Sequence, residues 1–170
     1  MSEHDFLLIE SECRANYNAY AEGLDSKNWE QVRSCFADEV YLDYGAVIDP
    51  TGSNDKTRTA ADWVKQLHFN IGGFDYTRHT ITNHRTVVEG DEITCMAYLI
   101  ADHIIFPDPL MPIASANDIA TVVGEYTNQY RRVDGQLKIV KSKLVMSYST
   151  GNIELFEKAV GKIMAQQAAE

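Results

Sequence analysis

The sequence predicts a single α+β domain in which helices cover one face of a strongly curved, mostly antiparallel β-sheet. Three observations carry this reading. Apolar residues recur at helical spacing through the first third of the chain, long β-prone runs joined by tight turns fill the segment from Tyr76 to Ser149, and a helical period returns after Ile153. A chain of 170 residues is long enough to bury most of its apolar surface in one core, so residues 1–170 are expected to form one domain.

Phe6, Ile9, Cys13, Tyr17, Tyr20 and Leu24 lie three or four apart and make one stripe along a first helix. Gly23 weakens the end of that helix, and Asp25-Ser26 offers capping side chains to a second one, on which Trp29, Val32 and Phe36 share a side. Residues 40–44 form a short β-prone run, and Asp49-Pro50-Thr51-Gly52-Ser53-Asn54-Asp55 reads as a loop. Thr59 is placed to cap a third helix with Ala60, Trp63, Val64 and Leu67 on one face, ending before Gly72-Gly73. Strands are predicted over 76–88, 92–106, 119–133 and 137–149, with turns at Glu89-Gly90-Asp91 and Asp134-Gly135. Ile153, Phe156, Val160 and Ile163 mark a closing amphipathic helix. Both alternate residue sets on the strand from Ile93 to Ile105 are largely apolar, which predicts cover on both sides, by helices or by a second subunit.

The 25 acidic and 15 basic residues give a formal charge of −10, which repels nucleic-acid phosphates and anionic lipid surfaces. Neither is expected as a partner. Cys13, Cys35 and Cys95 are odd in number and far apart, with no CxxC spacing, so neither a disulfide framework nor a zinc site is indicated and a reducing cytoplasm is the expected setting. The N-terminus carries Glu3, His4 and Asp5 in place of the basic and apolar regions of a secretory signal, and no run is long enough to span a bilayer.

Of the five histidines, two are candidates for chemistry. Strand periodicity places His79, Ile81 and Asn83 on one face and His84 on the other, while His4 is terminal and His68 suits a helix C-terminus. His103 lies among Ala101, Ile104, Ile105 and Phe106 and is either solvent-facing at a strand end or held in an apolar cavity. Tyr126, Asn128 and Tyr130 share a strand face, where an inward amide needs a partner such as a ligand. Asp25 reads equally as a helix cap, and Tyr44 as a core aromatic.

These residues resemble the scytalone dehydratase-like branch of the SnoaL-like, nuclear-transport-factor-type family. The resemblance rests on Leu24-Asp25-Ser26-Lys27-Asn28-Trp29, Leu42-Asp43-Tyr44, Thr77-Arg78-His79, Ala101-Asp102-His103, Thr127-Asn128 and Arg132-Val133-Asp134-Gly135, in order over nearly the whole chain. It implies a cone-shaped, half-open barrel with a pocket in its mouth, acting on a small hydrophobic organic substrate without metal or organic cofactor. It further implies that Asp25 fixes the tautomer of His79, the general base, that Tyr44 polarises a carbonyl, and that His103 and Asn128 orient the substrate. Leu24 stands where the family carries a second tyrosine, and Tyr20, one helical turn earlier, is the nearest candidate to fill that space. The activity implied is dehydration of a hydroxylated carbonyl compound. The same residues would serve a double-bond isomerase or a dehydrochlorinase, and the fold also serves as a non-catalytic binding or assembly module. A metal held by Asp25, His79 and His103 is chemically conceivable, and the family implies a homotrimer.

Overall fold

The computed structural model describes residues 1–45 and 56–169. Helix α1 spans Glu3–Asp25 and α2 spans Trp29–Ser34, followed by strands β1, Phe36–Asp43, and β2, Thr57–Thr59. Helix α3, Ala60–Ile71, leads into β3, Tyr76–Glu89, and β4, Glu92–Ile104. A short 3-10 turn over Ala116–Asp118 precedes β5, Ile119–Val133, and β6, Gln136–Gly151, and α4, Leu155–Gln167, closes the chain. The strands form one mixed sheet in the order β2-β1-β6-β5-β4-β3, in which the β1–β6 pairing is parallel and the others are antiparallel. Register shifts at Thr82/Arg85, Val123/Gly124 and Gln129/Tyr130 add the local twist that curves the sheet into a cone. Among the described residues, no helix is long and apolar enough to cross a membrane.

The stripe read on α1 is the buried one: Cys13, Tyr17, Tyr20 and Leu24 all enter the core. Tyr17 donates its hydroxyl to the Cys95 carbonyl at 2.8 Å, which ties α1 to β4. Gly23 does not end α1. A Cβ there would stand 2.8 Å from Val32 Cγ2, so the missing side chain admits α2. The cap of α2 is Asn28, whose side chain accepts from the Gln31 amide at 3.1 Å, which leaves the Asp25 carboxylate free for other partners. Phe36, expected on the second helix, opens β1, because α2 closes at Ser34 and the Cys35 carbonyl already accepts from the Ile139 amide of β6. The loop expected over 49–55 lies outside the described residues.

Strict alternation fails once on β3. Asn83 takes a φ of +54° within the register shift, and this turns His84 back onto the α1 side, where it packs against Tyr17 with ring centroids 5.3 Å apart. The expectation that strand alternation puts His84 on the face opposite His79 therefore does not hold. On β4 the inward set is buried, while the outward Tyr98 and Ile100 are 47% and 50% exposed, in register across Glu125 and Val123 of β5 with the exposed Val145 and Tyr148 of β6.

Two glycines give opposite expectations. A Cβ at Gly73 would stand 2.0 Å from the Ala159 carbonyl oxygen of α4, whereas one at Gly161, within α4, meets nothing within 4 Å. Gly73→Ala is expected to destabilise the fold by about 1–3 kcal/mol, and Gly161→Ala to stabilise it by about 0.5–1 kcal/mol. Urea unfolding of the two variants checks both signs.

Candidate active site

The open end of the cone holds a cavity of about 720 Å³. Its walls come from every layer: Tyr20 and Leu24 of α1, Tyr44 after β1, Trp63 of α3, His79 of β3, His103 of β4, Tyr126 of β5, Leu144 and Met146 of β6, and Phe156 of α4. Most of these side chains are apolar or aromatic, so the few polar atoms among them act at low dielectric.

His79 and His103 face inward as diagonal neighbours, because His79 pairs with Ala101 and Thr77 with His103 across the β3–β4 ladder. Their rings meet edge to face with centroids 5.4 Å apart. Asp25, the last residue of α1, lies behind His79. Its Oδ1 stands 2.7 Å from His79 Nδ1, and its two oxygens accept the His79 main-chain N–H at 3.1 and 3.0 Å. Thr77 adds a hydroxyl bond to Oδ1 at 3.1 Å. Burial opposes ionisation of this carboxyl, but the bonds from the His79 ring and backbone, the imidazole's charge and the Thr77 hydroxyl outweigh it and hold Asp25 below the usual carboxylate range. An ionised carboxylate only accepts, so Nδ1 carries a ring hydrogen facing Asp25, and in the neutral form of the ring the lone pair lies on Nε2.

His103 is 4% exposed, wedged between Phe74 and Phe156 at ring-centroid distances of 5.0 and 4.8 Å. Burial, reinforced by His79, pushes its pKa down to about 3, so it enters the cavity as a neutral imidazole. Tyr44 shares a hydrogen bond of 2.8 Å with Ser142. Burial raises its pKa to about 12 against the opposing influence of the Ser142 and Tyr20 hydroxyls, and burial likewise holds Tyr20 and Tyr126 well above the ordinary phenol value. All three phenols stay protonated and able to donate. The Tyr20, Tyr44 and Tyr126 hydroxyls influence one another's ionisation, and Tyr44 is the one bonded to Ser142.

Tyr20, Leu24, Tyr44, His79 and His103 therefore line one cavity, and Asp25 reaches it through His79. Asn128 does not line it. It is fully buried at the Cys95–Asn128–Ser142 register, below Tyr126, and its Oδ1 has no protein partner. Tyr126, two residues earlier on the same face, takes the position in the wall. Trp63, Thr77 and Tyr126 were the residues missed. Each sits on a face the sequence pattern already marked, two residues from Asn128 or His79 or on the apolar side of α3, but period alone does not say which member of a face meets a void. Among the described residues, no three His, Cys, Asp or Glu side chains converge as a metal site.

Fold and geometry together define an α+β cone whose apolar pocket carries a carboxylate–imidazole pair in its wall. The SnoaL-like domain model matches residues 5–143, and the chain belongs to that family. It is similar to the Kfla4162 protein of Kribbella flavida, at 27% identity and a TM-score of 0.71 over 86% of this chain and 95% of that one. A Novosphingobium aromaticivorans protein provisionally named scytalone dehydratase is 19% identical, with a TM-score of 0.68 over 89% of this chain and 96% of that one. A type 3 hexachlorocyclohexane dehydrochlorinase of Novosphingobium barchaimii is likewise 19% identical, with a TM-score of 0.65 over 89% and 95%. At such identities the last two likenesses establish a shared cone fold, one on which proteins named as small-molecule lyases are built. No curated protein sequence matches the chain.

The state of His103 predicts a pH dependence. The unfolded chain takes up a proton near the ordinary histidine value of 6.5 and the folded chain only near 3, so this group removes stability as pH falls between them. The depressed Asp25 carboxyl contributes stability above its unfolded value and loses it only as pH falls through its lower folded one, below this window. Between about pH 6 and pH 4.5 the native protein is expected to lose about 2 kcal/mol more than His103→Gln. Equal losses in urea titrations at the two pH values would mean that the native imidazole protonates freely.

Proposed function

We propose that the protein is a cofactor-free lyase that eliminates water from a small, hydroxylated cyclic carbonyl compound. The carrying observation is the 2.7 Å contact between Asp25 and His79 Nδ1, which leaves Nε2 as the free base beside an apolar cavity. His79 removes the proton next to the carbonyl, and the electron pair moves into the carbonyl, forming an enolate. Tyr44, supported by Ser142, donates to the developing oxyanion. The enolate re-forms the carbonyl and expels the β-hydroxyl, which leaves as water with a proton returned by the imidazolium. In this reading His103 orients the substrate and its leaving group. Asn128, being outside the wall, supports the floor under Tyr126 in this reading.

Purified protein incubated with chelator and a β-hydroxy cyclic ketone is expected to produce the conjugated enone, read by its ultraviolet absorbance and a mass loss of one water. His79→Ala and Asp25→Asn are each expected to lower kcat/KM by about 10²–10⁴. Activity retained in His79→Ala would sink the assignment, and a product of unchanged mass would make the enzyme an isomerase.

The exposed Tyr98, Ile100, Val145 and Tyr148 flank Val123 and the Arg85-paired Glu125 on the outer face of the sheet and give that face a largely apolar character. This supports self-association, with the homotrimer the form that the family resemblance implies. Light scattering is expected to give a mass near three chains, and Ile100→Asp to lower it.

A further inference from the structure

Lys27 lies between α1 and α2 with a φ of +58°, a left-handed conformation that costs an L-residue with a long side chain about 1–2 kcal/mol. Its Nζ donates to Thr77 Oγ1 at 3.0 Å and to the Leu24 carbonyl at 3.4 Å. Thr77 is 1% exposed, and its Oγ1 is also 3.1 Å from Asp25 Oδ1.

The direction of these bonds follows from chemistry. An ammonium has no lone pair, so Thr77 Oγ1 must accept from Lys27, and the one hydrogen of the hydroxyl then points to Asp25. A single run of donors leads from Lys27 through Thr77 to Asp25 Oδ1, the same oxygen that receives the ring N–H of His79.

We infer that Lys27 and Thr77 are positioning residues of the Asp25–His79 pair, the ammonium offsetting the carboxylate's field so that the imidazole releases the proton it takes up. A carboxylate facing an imidazole at low dielectric, with no counter-charge, holds the imidazolium as a closed ion pair, and a base that stays protonated does not turn over. Lys27 supplies that counter-charge from behind, while the Thr77 hydroxyl keeps it from swinging into solvent.

The other charged or titratable groups around the pair are few. Arg78, the next residue on β3, acts on Asp25 through its charge but is solvent-exposed and screened. Glu22 and Arg78 line an outer groove that Asp25, Thr77 and His79 also line. His103 faces the pair from β4, and Glu157 of α4 lines the cavity. Lys27 is the cation bonded into the run.

This assignment rests on His79 acting as the base, so its test reads the ring itself. In protein labelled with [15N]histidine, the His79 nitrogen signals, identified by their loss in His79→Gln, are followed from pH 4 to pH 9. Native protein is expected to show the Nδ1–H tautomer. Lys27→Met is expected to move the midpoint of the pair's titration upward by roughly one pH unit, because the carboxylate then acts on the ring unopposed. Thr77→Val, nearly the same shape, frees the ammonium and is expected to move it the same way, so the test stands even if Lys27→Met fails to fold. Lys27→Arg and Thr77→Ser, which keep the charge and the hydroxyl, are expected to restore the native midpoint. A midpoint unmoved in Lys27→Met and Thr77→Val overturns the inference whether or not the protein is a lyase. Shifted midpoints in a protein without lyase activity would overturn the catalytic reading alone.

Discussion

The contact between Asp25 and His79 is the constraint on which the rest of the site depends. It joins the end of the first helix to a strand 54 residues later and fixes where α1 must stop relative to β3. A carboxylate is an unfavourable last residue for a helix, whose C-terminal end is already partly negative, and the last turn of α1 carries no basic residue. The conflict is resolved from outside the helix, by the ring N–H, the main-chain N–H of His79 and the Thr77 hydroxyl. A position that violates a local preference and is satisfied only through tertiary contacts is where function is to be sought.

The sheet gives this contact its surroundings. Because β3 and β4 pair in register, Thr77, His79, Ala101 and His103 form one patch, with the imidazoles on a diagonal and a small alanine between His103 and Leu99 on β4. Curvature then brings Tyr126 on β5 around to face them, Ser142 on β6 holds Tyr44, and α3 and α4 supply Trp63 and Phe156 as the apolar remainder of the wall. The polar groups come from α1, β3, β4, β5 and β6 and from Tyr44 after β1, so the site exists only when the whole cone is folded. The same apolar walls keep His103 and the three phenols uncharged.

Most of the architecture was legible because it depends on period and punctuation. The α1 stripe, the Thr59 cap, the β4–β5–β6 meander and the closing helix follow from residues that behave locally as their types prefer. What was not legible is set by contacts between distant segments. The bulge at Asn83 cannot be counted from alternation, Gly23 looks like a helix breaker until α2 is seen pressed against it, and Phe36 follows the helical spacing of Trp29 and Val32 although β6 has already taken up the chain. At the site, Asp25 and Asn28 are both good caps, and only the fold decides that Asn28 caps and Asp25 serves the pocket. Asn128 and Tyr126 share a face, but residue size and depth in the cone decide which one reaches the void.

On the lyase reading, the arrangement has an electrostatic logic. Before reaction the cavity wall presents an imidazole lone pair and phenol hydroxyls where the substrate reacts, with the compensated Lys27 and Asp25 charges set behind it. Proton transfer creates opposite charges within the cavity, imidazolium on the protein and enolate on the substrate. The first is met by a carboxylate already in place, and the second by hydroxyl groups that burial has kept protonated. Neither needs water or side-chain movement to stabilise it, and in a low-dielectric cavity that preorganisation counts for more than it would in solvent. The pocket thus favours the charge-separated state over the neutral substrate, which is the differential stabilisation an elimination requires.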